Sequence, residues 1–259
     1  MPSPFMRSAR SKIHFPTSVA SVLAFALGLG GVASAAEILS EFSVSADGWA
    51  IVGDSLGPVT WQATGGIPGG TIRVTDESVG GVMYWDAPAK FTGNQLAAYG
   101  RTLSFSIKHV IGGSSQPFSS EDVILGGVGL TLVYDWGANP PPGVWTTYTI
   151  PLTETGWRVG SLGGPPATTV QMKAVLGSLD SILIRAEFQN GADTDYLDNV
   201  VLTKNLLGDL NFDGVVNAPD LAILLGALPS ASNTGDLNGD GMTLQTDLAI
   251  LLGQWGATD

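Results

Sequence analysis

A duplicated acidic segment near the C-terminus constrains the fold of this chain more than any other sequence feature. Its first copy runs from Gly208 to Gly226 and its second from Gly235 to Gly253, and the two copies agree at 13 of 19 positions. Each copy is an Asp- and Asn-rich stretch followed by Leu-Ala-Ile-Leu-Leu. Such a repeat, with an apolar run in each copy, predicts two equivalent halves that bury their apolar faces against each other.

The acidic stretches have the spacing of calcium-binding loops. Calcium takes six to eight oxygen ligands, and side chains at alternate positions of a tight loop can point inward together where a Gly allows the turn. We therefore predict two calcium ions, one in each loop. The predicted ligands, in which Val215 and Met242 act through their backbone carbonyls, are Asp209, Asn211, Asp213, Val215, Asn217 and Asp220 in the first loop and Asp236, Asn238, Asp240, Met242 and Asp247 in the second.

The two loops differ at their ninth position. Asn217 in the first loop offers a side-chain oxygen and could also cap the helix that follows, whereas the second loop has Leu244 there. The second loop is therefore predicted to bind calcium more weakly. The alternative is a pair of solvated turns that bind no metal, but a duplicated Asp-x-Asn-x-Asp-Gly motif, followed five residues later by Asp, favours a metal site.

The repeated unit resembles a type I dockerin, a module of two calcium loops with helices that docks into a cohesin partner. The resemblance implies a partner-binding surface on the helices, with selectivity at the tenth and eleventh loop positions. Ala218 and Pro219 occupy these positions in the first copy, and Gln245 and Thr246 occupy them in the second. Because the two pairs differ chemically, the two faces need not be interchangeable. The implied partner is a cohesin-like or cell-surface protein.

The N-terminus has the residue order of a secretory signal. Arg7, Arg10 and Lys12 precede an apolar stretch from about 19 to 32, and small residues follow at 33–35. We predict that residues 1–36 are a signal peptide and that the protein is secreted or displayed on a bacterial cell surface. The alternative, an uncleaved membrane anchor, is disfavoured because the apolar stretch is short and interrupted by Gly.

The negative charge of the remaining chain argues against nucleic acids and anionic membranes as partners. Removal of the predicted signal leaves 8 Lys and Arg against 23 Asp and Glu, a net charge of −15. Such a surface repels nucleic acid and anionic membranes and suits calcium binding. The chain has no Cys, so an exported form has to be stabilised by its core and its calcium rather than by disulfides.

The segment between signal and repeat has the pattern of an all-β body. Its Gly- and Pro-rich clusters separate short runs that are rich in β-branched and aromatic residues, several of them alternating apolar with polar residues. Two packed sheets would bury both inner faces. The strand-like runs are 71–75, 103–108, 131–134, 146–150 and 181–186, and a short helical turn is expected near 176–179.

The same segment carries an ordered series of short family-like matches. They are 84–91, 93–95, 99–105, 122–125, 129–130, 148–154, 156–157, 183–186 and 197–200. With these matches the segment resembles the laminin IV type A domain, also called laminin B. The resemblance implies a non-catalytic, jelly-roll-type β-sandwich, without the Cys-rich modules that accompany it in laminins. We expect a mainly β chain with a signal at 1–36, a sandwich at 37–203 and a dockerin-like module with small helices at 204–259.

Catalysis is not predicted. Glycoside hydrolysis needs two carboxylates that face one cleft, and no close Glu-x-Asp-x-Glu arrangement occurs. His109 is the only His after the predicted signal, and no Gly-x-Ser-x-Gly motif accompanies it. The acids considered for such a role are Asp86, Glu121, Asp122, Glu187, Asp193 and Asp195.

Binding is the predicted function. Aromatic side chains stack on sugar rings, and Trp136 and Trp145 flank a Pro- and Gly-rich loop where they could contact a polysaccharide or glycoconjugate. We expect a secreted binding or adhesion protein, tethered through its calcium module and supporting polysaccharide breakdown. Two alternatives stay open: a hydrolase that acts on polysaccharide, and a free-standing structural calcium-binding protein.

Overall fold

A computed structural model describes residues 37–54, 57–76, 80–113, 116–231, 234–238 and 242–258. The predicted signal at 1–36 and the predicted ligand Asp240 lie outside the described residues. In the described part of the chain, no helix has the length and hydropathy that a membrane span requires. Two six-stranded β-sheets organise the described residues before the acidic repeat.

The first sheet has six strands, which are β1 (Glu37–Ser40), β3 (Thr60–Gly66), β4 (Gly69–Asp76), β6 (Thr102–Ile111), β10 (Thr146–Pro151) and β14 (Asp193–Thr203). All of its pairings are antiparallel, in the order β10-β6-β14-β4-β3. The long strand β14 lies at its centre and pairs with β6 on one side and with β4 and then β1 on the other.

The second sheet, also antiparallel, has the order β11-β9-β8-β12-β5-β2, and a separate short ladder joins β7 to β13. Its strands are β2 (Ala50–Val52), β5 (Tyr84–Asp86), β8 (Val123–Gly127), β9 (Leu130–Tyr134), β11 (Arg158–Val159) and β12 (Leu179–Arg185), and the ladder strands are β7 (Gln116–Pro117) and β13 (Gln189–Asn190).

One hydrophobic core lies between the two sheets. Alternate residues of a strand point to opposite faces, so Phe105 and Ile107 of β6 face inward with Leu197 of β14. Trp85 of β5 and Ile184 of β12 belong to the same core from the opposite sheet. The predicted mainly β sandwich is therefore confirmed, and its core consists of side chains from the inner faces of both sheets.

One helix belongs to the sandwich. Helix α1 (Thr169–Gly177) begins at a capping box, in which Thr168 Oγ1 accepts from the Gln171 N–H and Gln171 Oε1 accepts from the Thr168 N–H. The helical segment expected near 176–179 therefore starts earlier in the chain, because this reciprocal cap nucleates the helix at Thr168. Strand β12 already begins at Leu179.

The C-terminal segment has two further helices and a separate small core. Helices α2 (Ala218–Ala227) and α3 (Gln245–Gly253) contact each other and bury Leu224 and Leu251. Leu206 and Val216 complete the buried part of this core. The two copies of the sequence repeat thus form two halves around shared apolar residues, as the pattern predicts.

Candidate functional site

The first acidic loop brings three carboxylates together. One carboxylate oxygen from each of Asp209, Asp213 and Asp220 lies within 4.8 Å of the other two. Asp209 and Asp220 are buried, whereas Asp213 is exposed. Three negative charges at this distance repel one another, so the arrangement suits a site that a cation completes.

Backbone N–H groups hold two of these carboxylates in place. Asp220, in the first turn of α2, accepts from the N–H groups of Leu210 at 2.8 Å and Asn211 at 3.1 Å through Oδ1. Its Oδ2 accepts from the N–H of Asn217 at 2.8 Å. Asp220 therefore ties the start of the loop to the start of the helix.

The first loop position is held in a similar way. Asp209 accepts from the N–H groups of Asp213 at 3.1 Å and Gly214 at 2.9 Å. Gly214 has φ +85°, a conformation that a residue with a Cβ adopts at a cost, and this turn points the Asp209 carboxylate into the loop. Burial raises the pKa of Asp209 above its ordinary value despite these hydrogen bonds.

The side chain of Asn217 does not cap helix α2. It makes no capping hydrogen bond, and only the opposite half of a capping box forms, from the Asn217 N–H to Asp220. Asn217 is thus the N-cap residue of α2 with Asp220 three residues on, as expected, but the hydrogen bond between them runs from the Asn217 backbone N–H to the Asp220 side chain. The Asn217 side chain remains available for its other predicted role as a loop ligand.

The second loop repeats the same framework. Asp247 accepts from the N–H groups of Leu237 at 2.8 Å and Asn238 at 3.2 Å, and from that of Leu244 at 2.8 Å. Burial opposes ionisation of Asp247, but these backbone N–H groups outweigh it and hold its pKa below the ordinary value. Asp236 is buried like its counterpart Asp209. The residues at the first and twelfth positions therefore have equivalent places in the two loops, in structure as well as in sequence.

The donor set fits calcium. Carboxylates, amide oxygens and backbone carbonyls are hard oxygen ligands of the kind that calcium prefers, and the first loop converges three carboxylates without a Lys or Arg among them. Asn211 and Asp213 lie at the rim of the loop, where the Asn211 side-chain amide donates to Asp213 at 2.8 Å. Val215 and Met242 occupy the position whose carbonyl is predicted to bind.

Comparison with known families identifies the two parts of the chain. The family model for Laminin B (Domain IV) matches residues 84–206, and the model for the dockerin type I domain matches residues 207–254. This chain joins a laminin B domain to a dockerin type I domain. Both predicted resemblances are confirmed, in the predicted order. Dockerin type I domains bind calcium, in agreement with the donor set, and neither matched model describes a catalytic domain.

Relatives and solved structures agree with the laminin B assignment. Laminin subunit gamma-2 of Equus caballus is 33% identical over 171 residues, which cover 64% of this chain and 13% of that protein. The basement membrane proteoglycan of Caenorhabditis elegans is 30% identical over 155 residues, covering 59% of this chain and 4% of that protein. This chain thus spans a small part of these much longer relatives. The L4b domain of human laminin alpha-2 shares the fold, with a TM-score of 0.52 at 18% identity over 67% of this chain and 99% of that domain.

The dockerin helices expose the residues predicted to bind a partner. Ala218 and Pro219 at the start of α2 are exposed, as are Gln245 and Thr246 at the start of α3. At least one helical turn after these residues, each helix exposes two apolar side chains, at the same positions of the repeat in both helices. These pairs are Ala222 with Leu225 in α2 and Ala249 with Leu252 in α3.

The two Trp residues proposed for sugar contact lie in different surroundings in the laminin B domain. The Trp136 ring stacks on Tyr148 with a centroid distance of 4.1 Å and packs against the core beside Phe105. Trp145 is half-buried and contacts the Tyr196 ring at 6.3 Å. The structure therefore does not bring Trp136 and Trp145 together as one aromatic pair.

Sequence reasoning missed the neighbours of Trp145. Lys108 Nζ lies 4.9 Å from the centroid of the Trp145 ring and 4.2 Å from that of Tyr196. Lys108 and Tyr196 are register partners on β6 and β14 and point away from the core. The alternation of β6 could have indicated an outward Lys108, but only the strand pairing shows that Tyr196 stands beside it.

The acids considered for catalysis do not share a cleft. Asp122 is buried in an ion pair with Arg185 at 3.1 Å, whereas Asp86 and Glu121 lie nearer the surface. Asp193 and Asp195 are buried on β14, and Glu187 is buried just after β12. This burial gives a polysaccharide no access to these three carboxylates.

Proposed function

We propose that this chain is an exported, non-catalytic binding protein whose laminin B domain is tethered through its calcium-loaded dockerin domain to a cohesin-type or cell-surface partner. In this proposal residues 1–36 are the secretory signal, 37–203 the sandwich and 204–259 the docking module. The observation that carries the proposal is the convergence of Asp209, Asp213 and Asp220 within 4.8 Å at the start of an exposed helix.

Calcium is proposed to make the module competent for docking. Asp220 and Asp247 each link a loop to the first turn of a helix, so an ion in the loop orients that helix. Without the ion, the clustered carboxylates repel one another and the small core of this module has to hold the helices alone. Partner binding should therefore require calcium in both loops.

The proposed partner surface consists of the exposed faces of α2 and α3. Leu225 and Leu252 are each 51% exposed and occupy equivalent positions of the repeat. Exposed apolar side chains at matching positions of two helices are typical of a helix face that a partner covers. The chemical difference between Ala218-Pro219 and Gln245-Thr246 supports two docking faces of unequal affinity.

Calcium titration is the direct test of the metal step. In isothermal titration calorimetry the two dockerin loops should account for two calcium-binding events, and Asp209→Ala and Asp236→Ala should each remove one event relative to the wild type. Asp180→Asn, which removes one exposed carboxylate of β12, is the matched control and should keep both events. The absence of any calcium-binding heat at calcium concentrations from micromolar to millimolar would refute the calcium module.

Partner capture tests the docking step separately. The wild type, Leu225→Asp and Leu252→Asp would be tested against a panel of cohesin domains in calcium and in EDTA. We expect capture in calcium only, with the two substitutions reducing it unequally. Two calcium ions bound without capture of any cohesin or bacterial surface fraction would instead favour a free-standing structural calcium module.

A carbohydrate ligand for the sandwich is the second candidate function. The Trp145, Tyr196 and Lys108 cluster supports it, because aromatic faces beside a cationic donor are suited to stacking on and hydrogen bonding with sugar rings. A polysaccharide or glycoconjugate bound there would place the tethered protein in polysaccharide breakdown as a supporting component. A zymogram on several polysaccharides separates this from the hydrolase alternative, which requires cleavage that a single carboxylate substitution abolishes.

A further inference from the structure

One end of the laminin B core is acidic where apolar side chains are expected. Along the inward face of β14, Leu197 packs in the core, but Asp195 and Asp193 occupy the next two inward positions. On β6, His109 continues the inward row of Phe105 and Ile107. The neighbouring strands therefore carry ionisable groups side by side inside the sandwich.

These groups form two adjoining clusters. In the first, His109 Nδ1 lies 3.1 Å from Asp195 Oδ1 and 3.6 Å from Asp193 Oδ2, and ligand atoms of all three residues lie within 4.8 Å. In the second, oxygens of Asp54, Asp76 and Glu187 lie within 4.8 Å. The clusters adjoin because Asp193 is the register partner of Asp76 in the β4–β14 ladder.

Several of these oxygens have no hydrogen-bond partner although they are buried. Both carboxylate oxygens of Asp193 are in this state, as are Asp195 Oδ2 and Glu187 Oε1, and the three side chains are at most 1% exposed. A buried polar group without a partner costs roughly 1–3 kcal/mol, and more when it is charged. The oxygens therefore require a ligand or a proton.

The cations nearby do not meet this requirement. Arg185 is engaged by Asp122 at 3.1 Å and by the Glu187 and Phe118 carbonyls, and its guanidinium lies between the Phe118 and Phe188 rings. Burial lowers the pKa of His109, which favours its neutral form. Within the described part of the chain, Arg185 and a neutral His109 therefore do not balance the charge that these carboxylates would carry when ionised.

The ionisation equilibria agree with this geometry. Burial, together with the neighbouring Asp195, raises the pKa of Asp193 to about 9, and burial raises that of Glu187 to about 7. Burial also raises the pKa of Asp195 well above its ordinary value. Without a cation these carboxyl groups therefore favour their protonated form, and a bound cation would have to displace that proton.

We propose that this acidic end of the sandwich is a calcium site in its own right, with Asp193 and Asp195 as its central ligands. Five of the six residues in the two clusters offer carboxylate oxygens, which are ligands that calcium prefers, and only His109 offers the imidazole that suits zinc. The Asp54, Asp76 and Glu187 cluster adds negative charge beside the ion. This site is independent of the dockerin loops, because its residues come from strands of the laminin B domain and the segments next to them.

The test uses the full chain with its dockerin loops silenced by Asp209→Ala and Asp236→Ala. In this background, calorimetry after chelation should detect one calcium ion per chain, and calcium should raise the melting temperature. Addition of Asp193→Asn should abolish both effects, whereas addition of Asp180→Asn, on an exposed part of β12, should leave them intact. Metal analysis of the loop-silenced chain after dialysis against calcium provides the same stoichiometry without a substitution in the core.

Three results would overturn the proposal. One is the absence of calcium from the loop-silenced chain. Another is that Asp193→Asn raises the melting temperature by the same amount in EDTA and in calcium, which is expected if the carboxyl groups only share protons. The third is that the site binds zinc or manganese through His109 and Asp193 but does not bind calcium. None of these results bears on the dockerin loops, whose calcium is measured in the unsilenced chain.

Discussion

The ring of Phe212 lies 5.5 Å from the ring of Tyr99, so a residue of the first dockerin loop contacts the laminin B domain directly. Lys173 Nζ stands over both rings, at 4.7 Å from the Phe212 centroid and 4.6 Å from that of Tyr99. Phe212 has φ +64°, which is unfavourable for a non-Gly residue, and the equivalent residue of the second loop is Gly239. The aromatic contact offsets this backbone cost and couples the loop to the sandwich.

Replacement of Phe212 by Gly should uncouple the two domains. The change removes the aromatic and cation–π contacts, together worth about 1–3 kcal/mol, while it relieves the left-handed backbone. In an Asp193→Asn background, which lacks the calcium site proposed for the sandwich, differential scanning calorimetry should then show that calcium in the dockerin loops no longer raises the melting temperature of the sandwich. Phe212→Tyr keeps the ring and is the control. A calcium response of the sandwich that survives Phe212→Gly would contradict the coupling.

Exchange of the ninth loop residue should exchange the calcium affinities of the two loops. Leu244→Asn adds a side-chain oxygen to the second loop and should tighten its calcium binding by about tenfold, because affinity follows the number of ligands. Asn217→Leu should weaken the first loop by a similar factor. Calorimetry on each variant, with the other loop silenced, measures both constants. Equal affinities in the wild type would show that the ninth position does not contribute.

Arg185→Met should destabilise the sandwich by about 3–5 kcal/mol, since it leaves the Asp122 carboxylate buried without its partner. The Phe118 carbonyl loses its Arg185 donor as well. Urea unfolding measures the loss. A second change, Asp122→Asn, should recover part of it because the unpaired charge disappears. If Arg185→Met unfolds at the wild-type urea concentration, the ion pair is not required for stability.

Trp145 and Trp136 should respond differently to truncation. In affinity gels that contain a polysaccharide found to retard the wild type, Trp145→Ala should abolish the retardation with little change in stability, because its ring lies at the surface beside an outward-facing Lys. Trp136→Ala should lower the free energy of unfolding by roughly 2–4 kcal/mol, since its ring packs on Tyr148 and the core. Retardation that persists in Trp145→Ala would remove this surface from the carbohydrate proposal.

Much of the fold could be predicted because its signals are local. The run 103–108 lies within β6 and the run 146–150 within β10, since alternating apolar residues mark a strand with one buried face. Helix α1 was expected too late in the chain because its start depends on the reciprocal bonds of Thr168 and Gln171. The pairing of β14 with both β6 and β4 was not predictable, because those partners are far apart in sequence.

By itself, the sequence determined the two-domain order and predicted the calcium loops. The predicted ligands of a loop lie within twelve consecutive residues, so their spacing alone predicts how they are arranged. Tertiary structure decided which distant side chains meet. It placed Tyr196 beside Trp145, Phe212 against Tyr99, and Asp193 and Asp195 beside His109 inside the sandwich. Strand register brings these groups within a few ångströms, and one sequence carries no local signal for register between strands that are many residues apart.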